Sequence, residues 1–299
     1  MTVAPSISVP LPMARALLHP FYRLTFHQRM PWSVQRTLLN GVARFQPLPA
    51  GVRVETLRLG DRPAERVSAG PFAGPGAVLY LHGGGYTVGS PATHRSLAAH
   101  LAAGIRRPVY LLDYRLAPEH PCPAALEDAL AAFDALTRTP AHEAGSIALA
   151  GDSAGGAIAL AAAQHLVAHR RRPAALALLS PWTDPGERAE RHRDLVVNRD
   201  WGLACAAAYR GDIDPLDHRF APLLGPMEGL PPTYLFTSTR ELVYAQCLRL
   251  AGSLRRAGVE LRYVESPVLW HAAQAQAGLV RQAAESLGDV GEFLVANWS

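Results

Sequence analysis

The sequence contains no lysine: all 29 of its lysine-plus-arginine positions are arginine, against 25 aspartates and glutamates, for a net charge of +4. A nucleic-acid binder needs its basic residues gathered on one face or along one stripe. Apart from Arg170-Arg171-Arg172 the arginines are spread evenly, so they read as coding bias plus solvated surface, and no nucleic-acid partner is expected. Cysteine is scarce. Cys122, Cys205 and Cys247 are odd in number and lack metal-type spacing, which excludes a disulfide framework and a zinc centre and suits a reducing compartment. There is no run of eighteen apolar residues, hence no expected membrane span. Residues 11–26 are apolar on one side but broken by Arg15, His19, Pro20 and Arg23, which rules out a signal-peptide core. A cytoplasmic location is the default expectation. What is present describes one globular domain: 299 residues, 49% hydrophobic and 18% charged, enough to bury roughly 75% of the unfolded surface in a single core.

Strand-like runs fall at 52–59, 65–68, 77–81, 108–112, 146–150, 174–179, 234–237 and 260–264, and helical stretches alternate with them from the fourth onward. The central runs are continuous Val, Leu and Ala rather than alternating, as expected when helices cover both faces of a sheet. The expected fold is α/β, with a mostly parallel sheet of about eight strands.

Two segments carry chemistry. Gly151-Asp152-Ser153-Ala154-Gly155 lies between the run 146–150 and an Ala-rich helical stretch, 154–169, so Ser153 stands on a strand-to-helix turn. Flanking glycines let such a turn hold a serine in a strained conformation at the positive end of the helix. On its own this pentapeptide is a common chance match in Gly- and Ala-rich chains. The second segment is His82-Gly83-Gly84-Gly85-Tyr86, which follows the run 77–81. Consecutive glycines can aim backbone N–H groups at a carbonyl oxygen as it becomes negative. Gly83, Gly84 and Ala154 are the expected oxyanion donors. A dinucleotide-binding reading fails, because the spacing is G-x-G-x-x-x-G and no acidic residue follows about 20 positions on.

Together with Asp113-Tyr114-Arg115-Leu116-Ala117-Pro118-Glu119-His120-Pro121 and Leu230-Pro231-Pro232, these segments make the chain resemble the hormone-sensitive-lipase family of α/β-hydrolases, which includes bacterial carboxylesterases. The segments occur in family order across about two-thirds of the chain. The resemblance implies an α/β-hydrolase fold and assigns residues 114–121 a bracing role beside the site, with Arg115, Glu119 and His120 supporting.

A serine nucleophile needs a base, and the base an orienting carboxylate, following in the order Ser, acid, His. His271 occupies the family's position for the base: it follows the run 261–264 and a loop, and opens an expected helical stretch at 272–287. For the acid the chain departs from the family's usual aspartate. Counting back from Ala257-Gly258 puts Glu241 there. Asp214-Pro215-Leu216-Asp217 imitates the family's acid motif but precedes the strand 234–237, and Asp184 is the other alternative.

The resemblance further implies a helical cap made from residues 1–50, which read as short helices interrupted by Pro20, Pro31 and Gly41, and from a charged helical insertion at about 186–220. The catalytic domain is then 51–299. Phe21, Trp32, Leu203 and Tyr209 are candidates to line the cap. The expected activity is that of a serine carboxylesterase on small, fairly apolar esters, with no cofactor and no metal. An amidase, deacetylase or lactonase of the same fold stays open, as does a homodimer. A non-catalytic small-molecule receptor of this fold is a different class, disfavoured because the base is retained.

Overall fold

The computed structural model describes residues 3–139 and 144–298. Two helices come first, α1 (Leu11–Thr25) and α2 (Trp32–Ala43). Eight strands follow: β1 (Val52–Leu59), β2 (Arg62–Ala69), β3 (Ala77–Leu81), β4 (Val109–Leu112), β5 (Ile147–Asp152), β6 (Leu176–Leu179), β7 (Thr233–Ser238) and β8 (Leu261–Ser266). They form one sheet in the order β1-β2-β4-β3-β5-β6-β7-β8. Pairings involving β2 are antiparallel and the rest parallel.

The connecting helices are α3 (Pro91–Ile105), α4 (Ala124–Thr137), α5 (Ser153–Ala168), α6 (Arg199–Arg210), α7 (Tyr244–Arg256) and α8 (Arg281–Ala296). Side chains of α4, α5 and α7 pack on one face of the sheet, and those of α3 and α8 on the other. Strands β3 to β7 are buried along their whole length, which explains their largely apolar, non-alternating composition. Among the described residues no helix is long and apolar enough to cross a membrane. The three cysteines are free and buried.

All eight expected strands exist, with ends shifted by up to three residues, but four expectations about helices are corrected. Alternation begins one strand earlier, because α3 joins β3 to β4. Helix α1 runs unbroken through Pro20, since contacts of its inner face outweigh the missing N–H, and Gly41 lies inside α2. The stretch after His271 is not one helix. A short 3₁₀ turn, Ala273–Gln276, is followed by α8 from Arg281. The break sits at Gly278, where a Cβ would come within 3.0 Å of Ser96, His100 and Pro47, and where residues 278–279 accept hydrogen bonds from the N–H groups of Ile7 and Val9. Between β6 and β7 only α6 and a short 3₁₀ turn, Pro222–Leu224, are helical; the rest of 186–220 is irregular.

The tightest approach in the fold is that of α5 to the end of β3. A Cβ on Gly155 would stand 2.0 Å from the Leu81 carbonyl oxygen, and one on Gly151 2.5 Å from the Gly155 backbone. Gly155→Ala must therefore separate helix from strand. It is expected to lower stability by about 1–3 kcal/mol, measured as a shift in urea midpoint, and to reduce activity in the fraction that remains folded.

Candidate active site

Ser153 is the first residue of α5 and has φ +50°, the left-handed region that a serine rarely adopts. The turn is held there by the packing of Gly151 and Gly155 beneath it. Its hydroxyl meets His271, with Oγ to Nε2 at 2.8 Å. The imidazole Nδ1 in turn lies 3.1 Å from Oε2 of Glu241. The other carboxylate oxygen, Oε1, accepts from the Thr237 hydroxyl and from the Ser238 N–H at 3.1 Å, so Glu241 has one orientation and offers its free oxygen to the base. The loop carrying His271 is tied down at both ends: the Ser238 hydroxyl donates to the Leu269 carbonyl, 2.7 Å, and the Ala272 N–H to the Ser180 hydroxyl, 3.2 Å.

All three side chains are buried, Glu241 to 1% exposure, which removes the water that would otherwise screen them. Burial works against a charged imidazolium at His271, but the Glu241 hydrogen bond and charge, with Asp194 and Asp152 beyond, outweigh it and hold its pKa above the ordinary imidazole value. No local sequence signal marks Asp194. It accepts the N–H groups of Val196 and Val197 through one oxygen and that of Leu242, next to Glu241, through the other at 3.0 Å. It thereby ties the 186–220 segment to the loop bearing Glu241.

The glycine loop departs from expectation at one residue. The Gly83 N–H is not free: it donates to Oδ1 of Asp152 at 3.0 Å. Asp152 also accepts the Tyr80 hydroxyl at 2.9 Å and pairs with the His94 ring at 3.1 Å. This buried cluster anchors the start of the loop and occupies the Gly83 N–H, which the expected oxyanion role would need free. The N–H groups of Gly84 and Gly85 have no acceptor among the described residues and border the cavity, as does Ser153. Both glycines have positive φ, +128° and +58°. A Cβ would strike the Val88 carbonyl from Gly84 and the Trp201 ring from Gly85. Ala154 lies in the first turn of α5, where N–H groups lack intrahelical acceptors. His82 packs its ring on Tyr114, with centroids 4.2 Å apart, and burial, then His94, lowers its pKa to about 3.

The segment 113–121 braces this loop, though chiefly through other residues than those expected. The Tyr114 hydroxyl donates to the His82 carbonyl, 2.7 Å, and the Ala117 N–H to the Tyr86 carbonyl, 3.0 Å. Arg115 pairs with Asp128 on α4, and Glu119 receives Arg36 from α2. The His120 N–H donates to the Leu116 carbonyl, 2.9 Å. The rejected acids stand apart: Asp184 turns to the Glu187 N–H and Arg249, and Asp217 pairs with Arg219 on an exposed loop.

Two chambers open beside Ser153 and His271. The larger, about 450 Å³, is mostly apolar and bordered by Phe21, Tyr22, Phe26 and Leu39. The smaller, about 50 Å³, lies against Trp182, Leu203 and Val243. Trp201 and Val197 border both. Trp201 is fixed by its indole N–H donating to Gln35, 2.9 Å, and by the Phe26 ring at 4.4 Å. Of the four expected lining residues, Phe21 and Leu203 are present; Tyr209 is instead stacked on Tyr86 at 3.8 Å, and Trp32 packs beside the cluster around Trp201.

A serine, an imidazole and a carboxylate hydrogen-bonded in line at the carboxyl ends of parallel strands, next to unpaired backbone N–H groups, define an α/β-hydrolase with a serine site. The chain belongs to that family: a family model described as alpha/beta hydrolase fold matches residues 78–275. Its nearer kin are of the hormone-sensitive-lipase type. The chain is 32% identical to an esterase, LipU, of Mycobacterium tuberculosis over 90% of this chain and 94% of the other. It is 29% identical to a putative acetyl-hydrolase, LipR, of the same organism, covering 94% and 92%. A crystal structure of an esterase from the bacterial hormone-sensitive lipase family superposes with TM-score 0.86 at 31% identity, covering 94% and 99%, and a mutant of the esterase E40 with TM-score 0.92 at 30%, covering 98% and 100%.

Because the raised pKa of His271 keeps it protonated to higher pH, and a protonated imidazole cannot take a proton from Ser153, activity on soluble esters should fall as pH drops through a midpoint above 6.5. Glu241→Gln removes the charge that raises this pKa. It is expected to move the acid limb of a pH–rate profile to lower pH while cutting kcat by up to about 10⁴-fold. An unmoved limb would show that another group is titrating.

Proposed function

We propose that the chain hydrolyses carboxylic esters through an acyl-enzyme on Ser153. His271 takes the hydroxyl proton as Oγ attacks the carbonyl carbon, then passes it to the departing alcohol; a water molecule, deprotonated by the same imidazole, releases the acid. Glu241 holds the Nδ1–H tautomer and stabilises the imidazolium. The N–H groups of Gly84, Gly85 and Ala154 receive the oxyanion. The observation that carries this reading is the unbroken line from Ser153 Oγ to His271 to Glu241, at 2.8 and 3.1 Å. The same line argues against a pure receptor, which has no use for a base within hydrogen-bond reach of a serine.

The chain is an ester-hydrolysing enzyme; the relatives named esterase and acetyl-hydrolase support this. Residues 1–50 and 186–220 act as the cap, since α1, α2 and α6 all contribute walls to the chambers. Unequal chambers favour esters with one short and one long apolar substituent. Three free, buried thiols fit a reducing compartment such as the cytoplasm.

Ser153→Ala is expected to abolish turnover of a chromogenic ester by about 10⁶-fold and to prevent labelling by an organophosphonate. Undiminished hydrolysis by that variant would overturn the mechanism. Trp201→Leu opens the wall between the chambers. It should shift the ratio of kcat/KM for a longer-acyl over an acetyl ester upward by about ten-fold or more, with the thermal midpoint recorded as a control for folding.

A further inference from the structure

Although arginines are evenly distributed, carboxylates are not. Residues 1–54 contain six arginines and no aspartate or glutamate, the first acid being Glu55; the remainder of the chain holds 23 arginines against 25 acids. The whole excess of positive charge therefore sits in the segment that forms α1 and α2.

This segment also bears the most exposed apolar surface. On α1, Met13, Leu17 and Leu24 are half or more exposed and recur at helical spacing along one side. On α2 the same pattern appears at Val34, Leu38 and Val42 and continues to Phe45, which is 87% exposed. Other positions of this segment face inward: Ala14, Thr25, Gln35 and Ala43 of the helices are buried, as is Phe26 just after α1. Leu17, Val42 and Phe45 are exposed and also border the larger chamber, so the two outer stripes meet at its rim. Arg23, Arg29 and Arg44 stand exposed alongside. By contrast Arg36 is bound to Glu119 and Arg15 to the Val268 carbonyl.

We infer that α1 and α2 dock the mouth of the larger chamber onto an anionic lipid surface, with the aliphatic stripes entering the interface and the arginines facing the headgroups. A helix with an apolar face and a flanking arginine-rich border lies in such an interface, drawn by buried apolar area and by attraction to anionic lipid. A second copy of this chain fits the charge poorly: an isologous contact would set one carboxylate-free cationic segment against another. The role as a substrate gateway rests on the proposed ester hydrolysis; the docking itself does not.

The test is co-sedimentation of the full chain with phosphatidylglycerol or phosphatidylcholine vesicles, in parallel with its rate on a soluble short-chain ester. The expected result is binding to phosphatidylglycerol that weakens at high salt, little binding to phosphatidylcholine, and unchanged vesicle binding by Ser153→Ala. Each arginine near such a surface is worth about five-fold in affinity. Arg23→Glu with Arg44→Glu should therefore lose about 25-fold or more, and Leu24→Glu with Leu38→Glu should also release the protein. None of these four residues borders the two chambers, so the soluble-ester rate should hold in both double variants. Absent or lipid-indifferent binding, or full binding by both double variants, would overturn the inference. So would a homodimer by light scattering that Leu24→Glu with Leu38→Glu dissociates while vesicles are ignored. Loss of esterase activity in wild type with vesicle binding intact would instead sink the proposed chemistry and leave the docking standing.

Discussion

The close contact of α5 with the end of β3 is the constraint on which the site depends. Gly155 lies so near the Leu81 carbonyl that the helix can begin only directly above the sheet edge, and Ser153 is then forced to φ +50°. That geometry brings the hydroxyl to His271 and leaves Ala154 in the first turn of the helix. It also sets Asp152 beside Tyr80 and Gly83, so one helix start positions both Ser153 and the loop opposite it. The strain at one residue is sustained by many contacts around it, as local strain must be.

Electrostatics follow from the same packing. Glu241, Asp152 and Asp194 all lie near His271, and each is held by backbone or hydroxyl donors: Thr237 and Ser238 for the first, Gly83 and Tyr80 for the second, Val196, Val197 and Leu242 for the third. Buried carboxylates are tolerable only when so satisfied. Fixed in this way they need not reorganise as the imidazole gains charge, and burial keeps their influence unscreened. Asp194 extends this arrangement into the segment between β6 and β7, linking a wall of the chambers to the loop that orients the base.

Much of this was legible in the chain. The eight strands could be read because buried parallel strands need continuous apolar runs, and Ser153 and His271 because a nucleophile turn and a loop after the last strand have local signatures. Glu241 was reachable by counting from Ala257-Gly258, since the length of α7 sets that spacing. What failed was non-local. Local spacing makes Gly83 look like an oxyanion donor because a run of glycines does not say which N–H is already used; its acceptor, Asp152, is 69 residues away. Asp194 is one unremarked acid among 25, distinguished only by the N–H groups that fold onto it. Pro20 reads as a break because proline disfavours helix locally, while the continuity of α1 is settled by contacts of its inner face.

The sequence by itself determined the layered α/β architecture and the family, and it singled out Ser153, His271 and Glu241, because these are written in periodicity, in glycine spacing and in the order of elements along the chain. It also held, in plain composition, the absence of carboxylates before Glu55. Only the tertiary structure decided which glycine N–H groups are left free, that Trp201 borders both chambers and which apolar side chains of α1 and α2 face outward. The reason is physical: a hydrogen bond or an exposed face depends on what arrives from distant parts of the chain, and local spacing carries no record of that arrival.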